Sequence, residues 1–305
     1  MAPRLYKYAG PKLLALAFDT PGECRLKCSS PKDFNDPYEL FLSIDPNQDP
    51  ATLAFYRELI GDLPQLPTTC FSRSPAVVPM WAHYAQNHRG LVIEFDEACI
   101  LEALPNTALG DVAPSLATDL QHAQLTLKPR HAYFAQRAVF SAAYYTKHSC
   151  WRYEEERRLL AKHQDLVPGT ELLLFPVPTR CISAIIVGHR ASGDTRTSSL
   201  ALAIQLRTRW FEMRIGRSTL QPYFVGPDGS LHVFVDRDIV AAANACRHCG
   251  EPIADDAETC PWCAIQEDDE FRVARSNPMR ILADAGLLEE YYRRMAEIRR
   301  ITEGE

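Results

Sequence analysis

Apolar and polar positions alternate at period two from the start of the chain. In RLYKYAG, Leu5 and Lys7 fall on one face and Tyr6 and Tyr8 on the other, which predicts a strand. PKLLALAF, next in line, reads as a short amphipathic helical turn. In CRLKCSSPKDFNDPYELFLSI, strand-like residues flank the core SPKDFNDPYE, where Asp33, Asn35, Asp36 and two prolines predict an ordered loop. PATLAFYRELI predicts a helix, TTCFSRS a short buried strand, VPMWAHYAQNH a helix, and GLVIEFD a strand entered through Gly90. Residues 101–125 are rich in Ala and Leu and predict a further helix. LLLFPV and CISAIIVG read as buried strands and LALAIQL as a helix. PYFVG and LHVFVDR read as strands joined through the turn PDGS.

Strands and helices alternate here without the regular beat of βαβ units. The expectation is an α+β domain over residues 1–240, a mixed sheet with flanking helices. The pattern changes near Ala241. AAANACRHCGEPIADDAETCPWC, within 241–268, reads as a separate small module. Residues 269–305 read as the rest of an acidic linker, QEDDE, and a terminal amphipathic helix, PMRILADAGLLEEYYRRMAEIRRI. Its apolar stripe is Leu288, Tyr291 or Tyr292, Met295 and Ile298. Packing against its own domain is the expected use of that stripe, and homodimerisation is the alternative.

Composition narrows the class. The apolar share of 46% and the charged share of 24% belong to an ordinary soluble globular protein. A net charge of −6 argues against coating duplex DNA by bulk charge and leaves room for a local basic patch. MAPRLYKYAG has no apolar core of a signal peptide, and no run approaches the ~18 apolar residues of a membrane span. No membrane partner is expected. Cys24, Cys28, Cys70, Cys99, Cys150 and Cys181 are scattered in the manner of reduced core cysteines, so the reading is cytoplasmic.

The other four cysteines form two Cys-x-x-Cys pairs, Cys246 with Cys249 and Cys260 with Cys263, ten residues apart. Each pair makes a tight knuckle that offers two thiolates, and four thiolates close a tetrahedral structural zinc site. With no open ligand position, the zinc holds a ribbon together and does not catalyse.

In SCWRYEEERRLL five charges follow an aromatic pair. Helix propensity favours a helix for EEERRLLAKH. On a helix, however, Glu154 and Glu156 diverge by about 200°, whereas at period two Glu154, Glu156 and Arg158 share one face. The strand is the favoured reading. On the predicted helix MWAHYAQNH, Trp81, Tyr84 and His88 form one stripe at i, i+3 and i+7, a spacing used in cores and also in stacking on ring-bearing ligands. In FNDPYE, Asn35, Asp36 and Glu39 either cap a turn or face a cleft.

LYKY, SPKDFNDPYE, CFS followed by MWAHYAQNHRGLVIEF, and KHSCWRYEEERRL resemble, in this order, the recurring blocks of the bacterial domain-of-unknown-function family 2971. The set spans residue 5 to about residue 190, leaving the zinc module and terminal helix outside. The same parts look similar to the ADP-ribosyltransferase fold. There a basic first-strand residue, a central Ser/Tyr element and a late glutamate surround the nicotinamide ribose of NAD. What that likeness implies is a split sheet and transfer from NAD to a macromolecule, DNA or RNA among the candidates, as in a bacterial toxin or phage-defence effector. Glu156 would be the catalytic carboxylate and Glu154 would activate or position the acceptor. Lys7 or Tyr8 would hold the phosphate or ribose, Ser72 would support the site, Tyr84 would stack on nicotinamide, and Arg158 would hold a carboxylate in place. Lys7 stands where that fold has Arg or His. Two alternatives remain open. One is a phosphodiesterase in which Asp36, Glu39, Glu154 and Glu156 gather a divalent cation. The other is a non-enzymatic module that binds nucleic acid or protein.

Overall fold

A computed structural model of the protein describes residues 3–36, 45, 47–61, 63–114, 129–168, 172–253 and 257–303. The chain divides into two units, Met1–Ala242 and Ala243–Glu305.

In the first unit the elements run β1 (Arg4–Ala9), α1 (Leu13–Ala17), β2 (Glu23–Lys27), α2 (Pro50–Gly61), β3 (Thr68–Ser72), α3 (Val78–Tyr84), β4 (Leu91–Asp96) and α4 (Glu97–Ala103). They continue with β5 (Ala108–Asp111), β6 (Ala113–Pro114), α5 (Pro129–Tyr145), β7 (Thr146–Lys147), β8 (Glu156–Leu160), β9 (Leu174–Pro178) and β10 (Ile182–Val187). The last are α6 (Gly193–Leu206), β11 (Arg209–Arg214), β12 (Tyr223–Val225), β13 (Leu231–Val235) and β14 (Asp238–Ala241).

Among the described residues ten strands make one sheet in the order β14-β13-β12-β11-β10-β4-β1-β3-β8-β5. The β10–β11 pair, linked by α6, is parallel and the other pairs are antiparallel. This is the mixed α+β architecture expected from the sequence.

Both faces of the sheet's centre are covered. Leu5, Leu91, Ile93, Phe95, Ile185 and Val187 pack on one side with Leu26 of β2 and with Phe175 and Val177 of β9, two strands that pair with each other. Tyr6, Tyr8, Val92 and Ile186 pack on the other side with Met80 and Trp81 of α3. The even and odd positions of β1 therefore go to opposite faces, as its alternation predicts. Central strands covered on both sides read as near-continuous apolar runs, as ISAIIV, expected to be a buried strand, and LVIEF, expected to be a strand, both do.

The sheet has a seam. Between β1 and β3 the register consists of one pair, Tyr6 opposite Ser72, whereas β1 and β4 pair along six residues.

Several expectations are corrected. Residues 101–125 are not one helix: α4 ends at Ala103, and 108–111 form the edge strand β5 on β8. Residues 115–128 lie outside the described residues. Helix α3 stops at Tyr84 because the chain then turns through three consecutive residues with positive φ, Gln86, Asn87 and His88. The turn ends at Gly90, where a Cβ would lie 2.0 Å from the Ala9 carbonyl oxygen. Cys99 and Cys181 are joined in a disulfide rather than reduced. That bond ties α4 to the residue just before β10.

In the second unit β15 (Asn244–Ala245) and β16 (Pro252–Ile253) form a small hairpin. Three helices follow, α7 (Glu267–Ser276), α8 (Pro278–Asp284) and α9 (Leu288–Glu303). The acidic stretch expected to be a linker is the start of α7. Gln266 is its N-cap, and Glu267, Asp268, Asp269 and Glu270 fill the first turn, where negative charge meets unpaired N–H groups. The single terminal helix of the sequence reading is broken at Gly286, whose φ is +71°. Tyr291, Tyr292, Met295 and Ile298 of α9 are exposed.

Candidate functional site

The stretch read as a charged strand folds in three parts. His148 caps a 3-10 helix over Ser149–Glu154, Glu155 adopts a left-handed backbone with φ 44°, and β8 begins at Glu156. The strand reading holds for Glu156–Leu160, while Trp151 and Tyr153 sit on the 3-10 turns. The bend at Glu155 does what the predicted period would have done. It brings Glu154 beside Glu156, and both side chains reach one lysine.

That lysine is Lys147. Its Nζ donates to Glu154 Oε2 at 2.7 Å and to Glu156 Oε2 at 3.3 Å, and lies 4.6 Å from the centre of the Trp151 ring. Arg158 grips Glu156 from the other side, Nε to Oε1 at 2.8 Å and a terminal nitrogen to Oε2 at 3.2 Å. A second terminal nitrogen of Arg158 donates to the Tyr144 carbonyl at 2.9 Å. The Tyr84 hydroxyl donates to Glu154 Oε1 at 2.6 Å and is hydrogen-bonded by Asn35. The Cys70 thiol hydrogen-bonds Glu156. One connected network thus runs from Asn35 to Arg158. Exposures of 3% for Glu154, 8% for Glu156 and 1% for Arg158 exclude a solvated helix face.

The electrostatics follow from this geometry. Burial by itself raises a carboxyl pKa, but the Arg158 guanidinium and the Lys147 ammonium outweigh it, and Glu156 is held down at about 2. Burial pushes the Tyr84 hydroxyl up, and its bond to Glu154 adds to the shift. Burial pushes the Cys70 thiol up as well, helped by the Glu156 charge. Loss of hydration lowers the Lys7 pKa below the ordinary lysine value.

These groups line a cleft of about 540 Å³. It opens beside the seam between β1 and β3. There the Lys7 ammonium donates to Thr69 Oγ1 at 2.8 Å and to the Cys70 carbonyl at 2.9 Å, in place of further ladder bonds. Of the residues singled out by sequence, Lys7, Tyr8, Asn35, Ser72, Tyr84, Glu154, Glu156 and Arg158 line this one cleft. The Tyr8 hydroxyl is engaged with the Ser74 carbonyl at 2.8 Å, and Ser72 Oγ accepts from the Ser74 N–H at 3.1 Å. The two side chains thereby fix the turn after β3.

Others are not brought there. Trp81 is core: it is fully buried, its indole N–H donates to the Pro75 carbonyl at 2.8 Å, and its ring meets Tyr8 edge-on at 5.4 Å. His88 leaves the stripe because the helix ends before it, and its ring lies 4.8 Å from that of His189. Asp36 is buried outside the cleft's lining. Glu39 lies outside the described residues. Lys147 was missed, although it stands in the same block as the glutamates. Lys12 and Lys27, exposed on the cleft's rim, were missed as well.

In the second unit the four sulfurs of Cys246, Cys249, Cys260 and Cys263 lie within 4.8 Å of one another. Cys249 and Cys260 are 3.8 Å apart, about the separation that ~2.3 Å metal–sulfur bonds give in a tetrahedron. The Cys260 N–H donates to Cys246 Sγ at 3.3 Å and the Cys263 N–H to Cys260 Sγ at 3.4 Å, as in a knuckle. The donor set suits one metal ion.

Fold and site together define the class: an α+β protein with a lysine-bridged carboxylate pair in a cleft beside a seam in its sheet, and an appended four-cysteine unit. Residues 80–159 match the model of the family described as protein of unknown function (DUF2971), which bears out the resemblance read from the sequence. The match takes in Tyr84, Lys147 and Glu154–Arg158. The blocks LYKY and SPKDFNDPYE lie outside it. No curated protein matches the chain. Among solved structures the chain is similar to Thermus sp. 2.9 DarT in complex with ADP-ribosylated ssDNA, at 14% identity over 68% of this chain and 91% of that one. The TM-score of 0.28 is too low for that likeness to carry an argument.

Proposed function

We propose that the larger cleft binds NAD and that the protein transfers ADP-ribose from NAD to a macromolecular acceptor. The observation that carries this reading is Glu156, buried, ionised and fixed by Arg158 and Lys147 in the wall of a cleft. Breaking the bond between ribose and nicotinamide develops positive charge on the sugar, and a carboxylate that is already oriented stabilises that charge without reorganising. A carboxylate oxygen still accepts further hydrogen bonds while paired, so a ribose hydroxyl can be held at the same place. Glu154, anchored by Tyr84 and Lys147, stands next to it in the same cleft. Lys7, Lys12 and Lys27 supply cations for the diphosphate, and the cleft's volume lies within the ~300–1,000 Å³ usual for small-molecule sites.

The two other readings draw less support. A divalent cation needs surplus negative charge, and Glu154 and Glu156 are balanced by Lys147 and Arg158. A non-enzymatic module that binds nucleic acid or protein does not call for a pair of buried, fixed carboxylates in the wall of a cleft. In the four-cysteine unit the proposed metal is zinc, with a structural role.

The test is nicotinamide release by zinc-loaded wild type and Glu156→Gln, with and without DNA, RNA and cell extract. Wild type should release nicotinamide or label a macromolecule, and Glu156→Gln should lower the rate by about 100-fold or more. If neither consumes NAD and calorimetry finds no NAD binding, the reading falls.

A further inference from the structure

Lys147 and Glu156 also line a second cavity, of about 250 Å³. The same ion pair is therefore part of the wall of both cavities. The smaller volume lies below the usual small-molecule range, so it fits a single ring system rather than a whole cofactor. Trp151 lines it, half-buried, with the Lys147 ammonium over its ring. Arg152 and Arg237 line it from two different places in the chain, the 3-10 turn after α5 and the turn between β13 and β14. Both are exposed, and neither guanidinium pairs with a described residue. The cavity's other charges are mostly committed. Arg73 is bound to Glu97 and Asp111, and Asp111 also to Arg157. His148 Nδ1 accepts from the Cys150 N–H. Glu155 remains as an exposed carboxylate against the two open guanidiniums.

An aromatic ring flanked by two open, planar cations suits an unpaired nucleobase and its neighbouring phosphates. The ring takes the base by stacking, and each guanidinium takes a phosphate. A base inside a duplex cannot stack this way without leaving its helix. We propose that the smaller cavity is the acceptor subsite and that its occupant is single-stranded nucleic acid, one base on Trp151 with flanking phosphates on Arg152 and Arg237. Its chemistry rests on the NAD reading; its binding does not. In the transfer, an amine or ring nitrogen of the base forms a bond to the anomeric carbon of the nicotinamide ribose as the bond to nicotinamide breaks. The bonding pair leaves with nicotinamide, which becomes neutral, and the acceptor's displaced proton passes to water at the cavity's mouth.

The experiment uses the full zinc-loaded chain and fluorescence anisotropy without NAD. The probes are a labelled single-stranded DNA, an RNA of the same sequence, and the duplex; nicotinamide release is followed separately. Wild type should bind a single strand, DNA or RNA, more tightly than the duplex. Trp151→Ala should weaken that binding about tenfold. The double variant Arg152→Gln, Arg237→Gln should weaken it about tenfold or more and flatten the salt dependence by about one unit of slope for each phosphate no longer held. Should Trp151→Ala melt early, Trp151→Phe keeps a stacking face and should retain most of the affinity. Binding that is equal in all variants, binding that is as tight to duplex, or transfer to a protein acceptor unaffected by the variants overturns the proposal. Variant-sensitive binding without any NAD turnover sinks the NAD reading and upholds the subsite. NAD turnover with binding unchanged in the variants does the reverse.

Discussion

Glu156 is almost wholly shielded from water yet stays ionised, because two cations hold it. Its carboxyl titrates at about 2 in the folded chain against 4.5 for an unperturbed glutamate. The folded value is the lower one, so its ionisation stabilises the fold above pH 4.5, and that contribution fades as pH falls toward 2. The difference corresponds to about 3 kcal/mol at neutral pH. Urea midpoints followed down through this window should drop more steeply for wild type than for Glu156→Gln, and parallel curves would show that the pairing does not act this way. Lys147 is the residue that the sequence did not disclose. An isolated lysine carries no signal of its own, and its role exists only because a left-handed Glu155 swings Glu154 and Glu156 onto one cation. Glutamate has no preference for that conformation, so nothing local announces the bend.

At the level of elements, strands whose two faces are both buried were legible, since β1, β4 and β10 write their burial into apolar runs or alternation. What resisted reading was set by partners distant in sequence. Residues 108–111 fall within a stretch rich in Ala and Leu, but Gly110 and Asp111 are poor helix formers and β8 offers an edge there, so pairing decides their structure. The end of α3 is decided likewise by β1, whose Ala9 carbonyl occupies the space a side chain at 90 would need. Gly90→Ala must therefore separate two backbones rather than displace a side chain. A loss of about 3 kcal/mol is expected in thermal or urea unfolding, and an unchanged midpoint would contradict the close approach. The same turn removes His88 from the stripe that put it beside Tyr84. Eight of the twelve catalytic and binding residues named from sequence still line one cleft, because block order in the chain, unlike helix phase, survives such turns.

On the scale of the molecule, the two units differ in what holds them together. The larger has extensive apolar clusters on both faces of its sheet. The smaller has a buried cluster of Cys246, Ile253 and Cys260 with Cys263 against it, too little to fold a hairpin without a metal. Chelation should therefore act on one unit only. Hydrogen exchange after treatment with a zinc chelator should show protection lost around Cys246–Cys263 and retained in β1, β4 and β10. Loss of protection in both units would mean that the larger one also depends on the metal.

The Cys99–Cys181 bond closes a covalent ring around everything between those residues, at a sequence separation of 82. Lys147, Glu154, Glu156 and Arg158 all belong to that ring, whereas Lys7, Asn35, Ser72 and Tyr84 lie on the leading arm of the chain. The two halves of the cleft are thus topologically distinct. A single cut within the ring leaves both ends tethered by sulfur, so a nicked molecule keeps its carboxylates attached to the strands that face them. A cut in the arm severs it for good. For a break inside the ring, oxidation state therefore decides whether the backbone comes apart or merely opens a loop.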